Sequence, residues 1–370
     1  MTLLETVRPS NRDGDVTVMV TGVGTPGASC IIRSLRQTDA FDARIVGVDD
    51  DPNAHGFSLV DAADSVPPSD SDRFIHEVKA VARREGVDVI FPLLTEEIQS
   101  LSVAKQSFED DGIRVMVSNP RALSLTTDNG RLYDELVKQG HPVTPEFYVA
   151  STRDEFVEAV RALGYPESRV CFKRPVGSEM RGLRVLDPEF DRFSALMERK
   201  PGNTTTLEDV LPVLEETTEF PDLLVMEYLP GEEYSVDALA REDGDPILVS
   251  RSFTDTHDGR SSTSMVEKEP ALIKSARELC EIFDLEYNLN FQFKYGSDWT
   301  PKLIEVNPHV SRSVAACVGA GANMPALGVQ YALGRDLPDV DIEWGVHMTR
   351  CWQEVLYTPG KEPTSFSRCC

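Results

Sequence analysis

Lys302-Leu-Ile-Glu-Val-Asn-Pro-His-Val-Ser-Arg-Ser313 is the stretch on which the reading of this chain turns. Leu303, Ile304 and Val306 form a short apolar run that carries Glu305 and Asn307 on alternate positions, so in a strand both polar side chains emerge on one face. Pro308 ends the strand, and Arg312 follows within a few residues. A carboxylate and an amide side by side at a strand end offer hard oxygen ligands suited to Mg²⁺, and a nearby guanidinium suits phosphate. An edge strand with two solvated polar residues would show the same pattern, so other stretches must decide.

The length of 370 residues is more than one ordinary core organises and points to two or three domains. A hydrophobic fraction of 41% with periodic apolar segments indicates a globular chain. Lys and Arg number 37 against 62 Asp and Glu, a formal charge of -25, which argues against a nucleic-acid-coating surface or an anionic-membrane binder. Any anionic ligand must therefore be held by a local basic pocket. Arg outnumbers Lys and the acidic residues are spread along the whole chain, a pattern that fits a salt-in halophilic archaeon, the alternative being an acidic protein of ordinary cytosol. The seven cysteines, Cys30, Cys171, Cys280, Cys317, Cys351, Cys369 and Cys370, form no Cys-x-x-Cys pair, so neither a zinc site nor a disulfide framework is indicated. Residues 1–15 are polar with no apolar signal core, and no run approaches membrane-spanning length. These features lead to the expectation of a cytoplasmic enzyme with reduced thiols.

Residues 16–21 read as a buried strand of a parallel sheet that runs into Gly22-Val-Gly24-Thr-Pro-Gly27 and a helix over 28–38. Strands at 44–49, 87–92 and 113–118 alternate with helices at 72–85 and 96–108, an open α/β sheet to about residue 120. A helix over 128–140 with Gly140 as its stop leads to an extended segment, 141–145. Beyond it lie a helix at 153–163, a strand at 169–174, the glycine-bounded loop 177–182 and a strand at 183–186. After an acidic variable segment, 201–221, strands are expected at 223–228, 234–240, 246–252, 290–294 and 302–306, with one helix at 270–283. Residues 319–334 read as helical and 349–356 as a closing strand, and no internal repeat is visible.

Four stretches form a larger pattern: Phe172-Lys173-Arg-Pro175, the loop Gly177–Gly182, Leu224-Val-Met-Glu-Tyr-Leu-Pro-Gly-Glu-Glu-Tyr-Ser-Val-Asp237, and Asn290-Phe-Gln292 with Ile304-Glu305-Val-Asn307-Pro308. In this order and at these separations they resemble the ATP-grasp superfamily, and within it the branch around carbamoyl-phosphate synthetase large-subunit halves and the small carboxylate–amine ligases. The resemblance runs from about residue 16 to 356. It implies an α/β N-terminal Rossmann-like (pre-ATP-grasp) domain followed by a two-lobed α+β ATP-grasp domain. The corresponding divisions are a polar leader over 1–15, the Rossmann-like domain over 16–120, a small lobe with its linking helix over 121–222, and a large lobe with a closing segment over 223–370.

The same resemblance implies roles. Lys173 would contact the α- and β-phosphates of ATP, and Ser178 and Arg181 would close over the triphosphate. Backbone groups of the strand Met226-Glu227-Tyr-Leu229 would meet the adenine edge, at Glu227 and Leu229, and Glu233 the ribose hydroxyls. Gln292, Glu305 and Asn307 would hold Mg²⁺, or Mn²⁺ in its place, and Arg312 would neutralise the γ-phosphate. The chain departs from the family at Asn129, where a lysine is usual and Arg131 is the stand-in, and at His309, where synthetase-like relatives usually carry Arg. The implied reaction activates a small-molecule carboxylate as an acyl-phosphate that an amine captures, with the substrates near 22–27, Thr95-Glu96-Glu97, Arg251 and the loop His257-Asp-Gly-Arg260. No nucleic-acid or membrane partner is expected, and a homodimer is usual for such relatives. Two other readings remain: an NAD(P)-dependent oxidoreductase, because Gly22-x-Gly24-x-x-Gly27 with Asp49 fits the dinucleotide fingerprint, and an ATP-grasp protein that binds nucleotide without turnover.

Overall fold

The computed structural model describes residues 14–177, 182–197, 202–216, 220–257, 260–351, 355–356 and 364–365. The chain folds into two compact units, the first formed by residues 1–117, 312–341 and 351–370, the second by 118–311 and 342–350. No helix among the described residues is long and apolar enough to cross a membrane.

The first unit opens with β1 (Asp15–Thr21), α1 (Ala28–Arg36), β2 (Asp42–Asp49), β3 (Ala62–Ser65), α2 (Phe74–Glu85), β4 (Val89–Phe91), α3 (Thr95–Glu109) and β5 (Arg114–Val115). The strands form a parallel sheet in the order β3-β2-β1-β4-β5. Central β1 is flanked on both edges and buries Val16, Val18, Met19 and Val20, so its sequence is a continuous apolar run. Strand order reverses at β1, which sets the loops after β1 and β4 beside the switch point of the sheet. The sequence reading lacks β3, whose Ala-Ala-Asp-Ser has little strand propensity and is extended by pairing with β2.

The second unit begins with α4 (Pro120–Thr126), α5 (Asn129–Gln139), β6 (Phe147–Ala150), α6 (Arg153–Ala162), β7 (Val170–Lys173), β8 (Arg184–Leu186), α7 (Arg192–Met197), β9 (Thr204–Thr205), α8 (Leu207–Glu215) and β10 (Leu223–Glu227). One sheet runs β6-β10-β7-β8-β9. Strand β10, grouped by sequence with the large lobe, completes this smaller sheet by pairing antiparallel with β6 and β7. Helix α8 forms inside the segment read as variable, started by the Thr206 hydroxyl accepting from the Asp209 N–H.

A second sheet, antiparallel in the order β15-β14-β11-β12-β13-β16, is built from β11 (Glu233–Ala240), β12 (Ile247–His257), β13 (Arg260–Val266), β14 (Tyr287–Tyr295), β15 (Pro301–Asn307) and β16 (His347–Thr349), with helix α9 (Pro270–Ile282). One face joins Val236, Ala238, Phe291, Phe293, Leu303 and Val306 to Leu272, Ala276 and Leu279 of α9 and to Leu132, Tyr133 and Leu136 of α5 in a single core. Helices α10 (Ala315–Gly319) and α11 (Met324–Ala332) return to the first unit. Of the stretch read as helical, 319–334, only α11 lies wholly inside it; α10 ends at Gly319, and Gly321 between the two takes a φ of 92°. The expected closing strand, 349–356, is met at its two ends: His347–Thr349 pairs with β13, Val355–Leu356 pairs with Thr364–Ser365, and residues 352–354 lie outside the described residues.

Helix α5 carries core residues of the second unit, and its ends are fixed by local chemistry. The Asp128 carboxylate accepts from the N–H groups of Gly130 (2.9 Å) and Arg131 (3.2 Å), and Gly140 ends the helix in the left-handed region. Asp128→Ala should therefore lower unfolding stability by about 1 kcal/mol, read as a lower urea midpoint at unchanged slope.

Candidate functional site

Strand β14 alternates without exception, with Leu289, Phe291 and Phe293 facing the core and Asn288, Asn290, Gln292 and Lys294 facing the other way. Across the ladder Asn290 pairs with Asn307 and Asp237, Gln292 with Glu305 and Ser235, and Lys294 with Glu233. One face of the sheet is thus apolar, and the other collects amides, carboxylates and a lysine.

Lys173, at the end of β7 in the smaller sheet, reaches that polar face. Its Nζ lies 3.7 Å from Glu305 Oε2, and both side chains are almost fully buried. Asn307 Nδ2 donates to Glu305 Oε1 at 3.1 Å. Burial holds the Lys173 ammonium below the usual lysine range, and the Glu305 carboxylate opposes that shift. Beside Lys173 lies a cavity of about 240 Å³. Its walls include Met226, Glu227, Leu229, Glu233, Lys294 and Ile304. Burial raises the Glu233 carboxyl above the usual range, and Lys294 pulls it back. Cys171, on the same wall, is pushed up to about 12 by burial and is no nucleophile. The N–H of Glu227 donates to the Glu146 carbonyl at 3.0 Å, so of its two backbone groups only the carbonyl can serve a ligand.

Among the described residues no three His, Cys, Asp or Glu side chains gather as a metal cluster. Glu305 with the amides of Asn307 and Gln292 is a different donor set: one carboxylate and two neutral oxygens. That set suits a hard cation completed by phosphate oxygens and water, the way Mg²⁺ is commonly held with a nucleotide.

Behind these groups runs a buried chain that the sequence reading missed. Arg251 is wholly buried, its Nε 2.6 Å from Asp237 Oδ2 and its Nη2 2.8 Å from Ser311 Oγ. Asp237 Oδ1 accepts from Asn290 Nδ2 at 3.2 Å, and Ser235 Oγ donates to Asn290 Oδ1 at 3.3 Å. Arg251, expected near substrate, is instead the anchor of this network. The alternation of Asn288, Asn290, Gln292 and Lys294 was its visible signal.

Other expected residues stand elsewhere. Ser178 and Arg181 lie outside the described residues, as do Asp258 and Gly259 of the loop between β12 and β13 and the side chains of His257 and Arg260. Arg131 is largely exposed, 3.6 Å from Asp128, and does not line the cavity. Asn129 is buried with its N–H and Nδ2 both donating to the Pro175 carbonyl, so it ties α5 to the end of β7 and takes no cation's place. His309 is buried with Nδ1 donating to the Val310 carbonyl at 2.9 Å.

In the first unit the dinucleotide reading meets an obstacle. Asp49 Oδ2 accepts the Gly24 N–H at 2.6 Å and Oδ1 the Asp51 N–H at 2.9 Å, so the carboxylate expected at a ribose is spent on its own backbone. A Cβ at Gly24 would sit 3.0 Å from that oxygen, and one at Gly27 2.9 Å from the Arg312 carbonyl, so the close approaches these glycines permit are made by the chain itself. Arg312 belongs to this unit, with burial lowering its pKa against the pull of Glu96. Glu97, expected near substrate, is buried and accepts from the Thr21 hydroxyl and from the N–H groups of Leu93 and Leu94, both at 3.0 Å. Burial pushes its carboxyl up to about 7.

Comparisons with known proteins match two parts of the chain. Residues 219–351 match the family described as "ATP-grasp in the biosynthetic pathway with Ter operon", and residues 18–116 match "PylC-like, N-terminal domain". The formate-dependent phosphoribosylglycinamide formyltransferase of Prochlorococcus marinus (strain MIT 9313) is 27% identical over 192 residues, 51% of this chain and 45% of that protein. The protein of the same name from Pyrococcus horikoshii is 30% identical over 158 residues, 42% of this chain and 34% of its own length. The chain therefore spans less than half the length of these curated relatives. Among solved structures, N5-carboxyaminoimidazole ribonucleotide synthetase in complex with ADP superposes with a TM-score of 0.69 at 16% identity, covering 90% of this chain and 81% of that one. The biotin carboxylase–β,γ-ATP complex from Campylobacter jejuni gives 0.68 at 16%, covering 90% and 74%.

Two measurements test this geometry. Arg251→Met leaves the Asp237 carboxylate buried without its guanidinium and should cost roughly 3–5 kcal/mol, while Arg251→Met with Asp237→Leu recovers much of the loss. Additive losses in urea unfolding would show that the two residues are not coupled. For Glu97, the folded state between about pH 4.3 and the raised value near 7 keeps a proton that the unfolded chain releases, so stability falls as pH rises through that window and levels above it. From pH 5 to pH 8, Glu97→Gln should gain on the wild type by roughly 2.5 kcal/mol, and a pH-independent difference would refute the shift.

Proposed function

We propose that this chain, a member of the ATP-grasp superfamily, is an ATP-dependent ligase that activates a carboxylate as an acyl-phosphate for capture by an amine, releasing ADP and phosphate. The observation that carries this reading is the junction at Lys173: one cation lines the cavity and also contacts the carboxylate of the oxygen-donor set. A nucleotide with its base in the cavity would have its phosphates at Lys173 and its metal at Glu305, Asn307 and Gln292. The Glu227 carbonyl and the Leu229 N–H would meet the base edge, and Glu233 the ribose hydroxyls.

Mg²⁺, when bound there, neutralises charge on the phosphate oxygens. In the reaction a carboxylate oxygen attacks the γ-phosphorus as the bond to the β-phosphate oxygen breaks, and ADP leaves. The amine nitrogen then adds to the acyl carbon, loses a proton and expels phosphate. Lys173 serves by position and charge, in a cavity where low dielectric strengthens its field. No covalent protein nucleophile is needed. Arg312, in the first unit, is left without a role here. The carboxylate and amine are to be found by screening, with small acids first because the relatives named above are formate-dependent.

The test is Mg-ATP binding by calorimetry, at low salt and in molar KCl because of the charge of -25. Lys173→Ala should weaken binding roughly 10- to 150-fold, the worth of a hydrogen bond to a charged group. Glu305→Gln should remove the dependence on Mg²⁺ and ADP release with any acid and amine pair. Wild-type affinity in both variants would sink the site.

A further inference from the structure

Along β14 and β15, Gln292 stands opposite Glu305, but Phe293 stands opposite Leu303, so Ile304 is one residue too many. Such a β-bulge resets the alternation of the strand. Leu303 and Val306 both face the apolar core, whereas Ile304 lines the cavity and its neighbour Glu305 reaches Lys173. In an unbroken strand, adjacent side chains point to opposite faces. Only the bulge lets the cavity wall and the candidate metal carboxylate sit on consecutive residues on one side.

A bulge also leaves a residue out of the ladder, and its backbone groups need partners elsewhere. The Tyr133 hydroxyl donates to the Ile304 carbonyl at 2.6 Å. Tyr133 projects from α5, is wholly buried, and packs edge-on against Phe147 with ring centroids 5.2 Å apart. Burial, with the negative charges of Glu305 and Glu227, raises the phenol above its usual range, so the group remains a donor at every working pH.

We propose that Tyr133 is a positioning residue, whose hydroxyl holds the Ile304 bulge so that Ile304 and Glu305 face the nucleotide together. The inference rests on the nucleotide reading of the cavity. Tyr133→Phe keeps the ring and its packing and removes only the hydrogen bond, leaving a buried carbonyl without that donor. Tyr165→Phe is the matched control, since the Tyr165 hydroxyl accepts from the Leu207 N–H in the smaller lobe, away from the cavity walls.

The experiment uses the full chain and measures ATP affinity by calorimetry across a Mg²⁺ titration and in EDTA, with thermal melts of each unliganded protein. Both variants are expected to melt lower than the wild type. Only Tyr133→Phe should weaken Mg-ATP, by roughly threefold to tenfold, and shift the Mg²⁺ midpoint upward, because only it disturbs Glu305. A merely structural role would lower melting in both and leave the Mg²⁺ midpoint unmoved. Wild-type Mg-ATP affinity and Mg²⁺ midpoint in Tyr133→Phe overturn the positioning role and leave the nucleotide reading standing. A wild type that binds no Mg-ATP overturns both.

Discussion

The contact between Lys173 and Glu305 is the constraint around which the second unit is arranged. The lysine comes from β7 in one sheet and the carboxylate from β15 in the other, and both are almost fully withdrawn from water. Taking two such charges out of water costs several kcal/mol per ion, and their mutual attraction returns that only with good geometry. At 3.7 Å with a single donor atom, this pair is not an optimised stabilising bridge. Under the proposed function the two groups would be parted by a metal–nucleotide, the phosphates at Lys173 and the metal at Glu305.

Keeping polar groups buried on one sheet face requires that each be held. The face achieves this by linkage: Arg251 to Asp237, Asp237 to Asn290, Ser235 to Asn290, and Asn307 to Glu305. Such hydrogen bonds fix side-chain directions that an apolar face would leave to packing alone. On the opposite face Phe291, Phe293 and α9 supply the hydrophobic stabilisation, so the same strands give one face to the core and the other to the polar network.

Much of this was legible because it is local. The strand and glycine loop at β1, the Asp128 and Gly140 caps of α5, and the common face of Glu305 and Asn307 all follow from periodicity or side-chain chemistry within a few residues. What stayed hidden depends on partners distant in sequence. The bulge at Ile304 exists only relative to β14, so a strand read alone places Ile304 with Val306 on the core face and Leu303 with Glu305 on the other. Arg251 read as a substrate cation because its counter-charge, Asp237, lies on the neighbouring strand. The assignment of β10 to the smaller sheet and the return of residues 312–341 to the first unit likewise depend on tertiary pairing. The fingerprint Gly22-x-Gly24-x-x-Gly27 with Asp49 was matched in letters, but its amide and its carboxylate satisfy each other.

A carrier of net charge -25 is a poor collector of a tri- or tetra-anionic nucleotide, since the long-range field opposes approach. That field reaches about 10 Å at 0.1 M salt and about 3 Å at 1 M, whereas groups in a buried cavity are screened far less. Salt therefore removes the repulsion and spares the short-range attraction of Lys173 and Lys294, which line the cavity. An acidic surface is compatible with lysines in a recess when those lysines work at contact distance. Because Lys173 is the cation that also touches Glu305, the charge that would draw in the phosphates is the one that would place them beside the metal ligands.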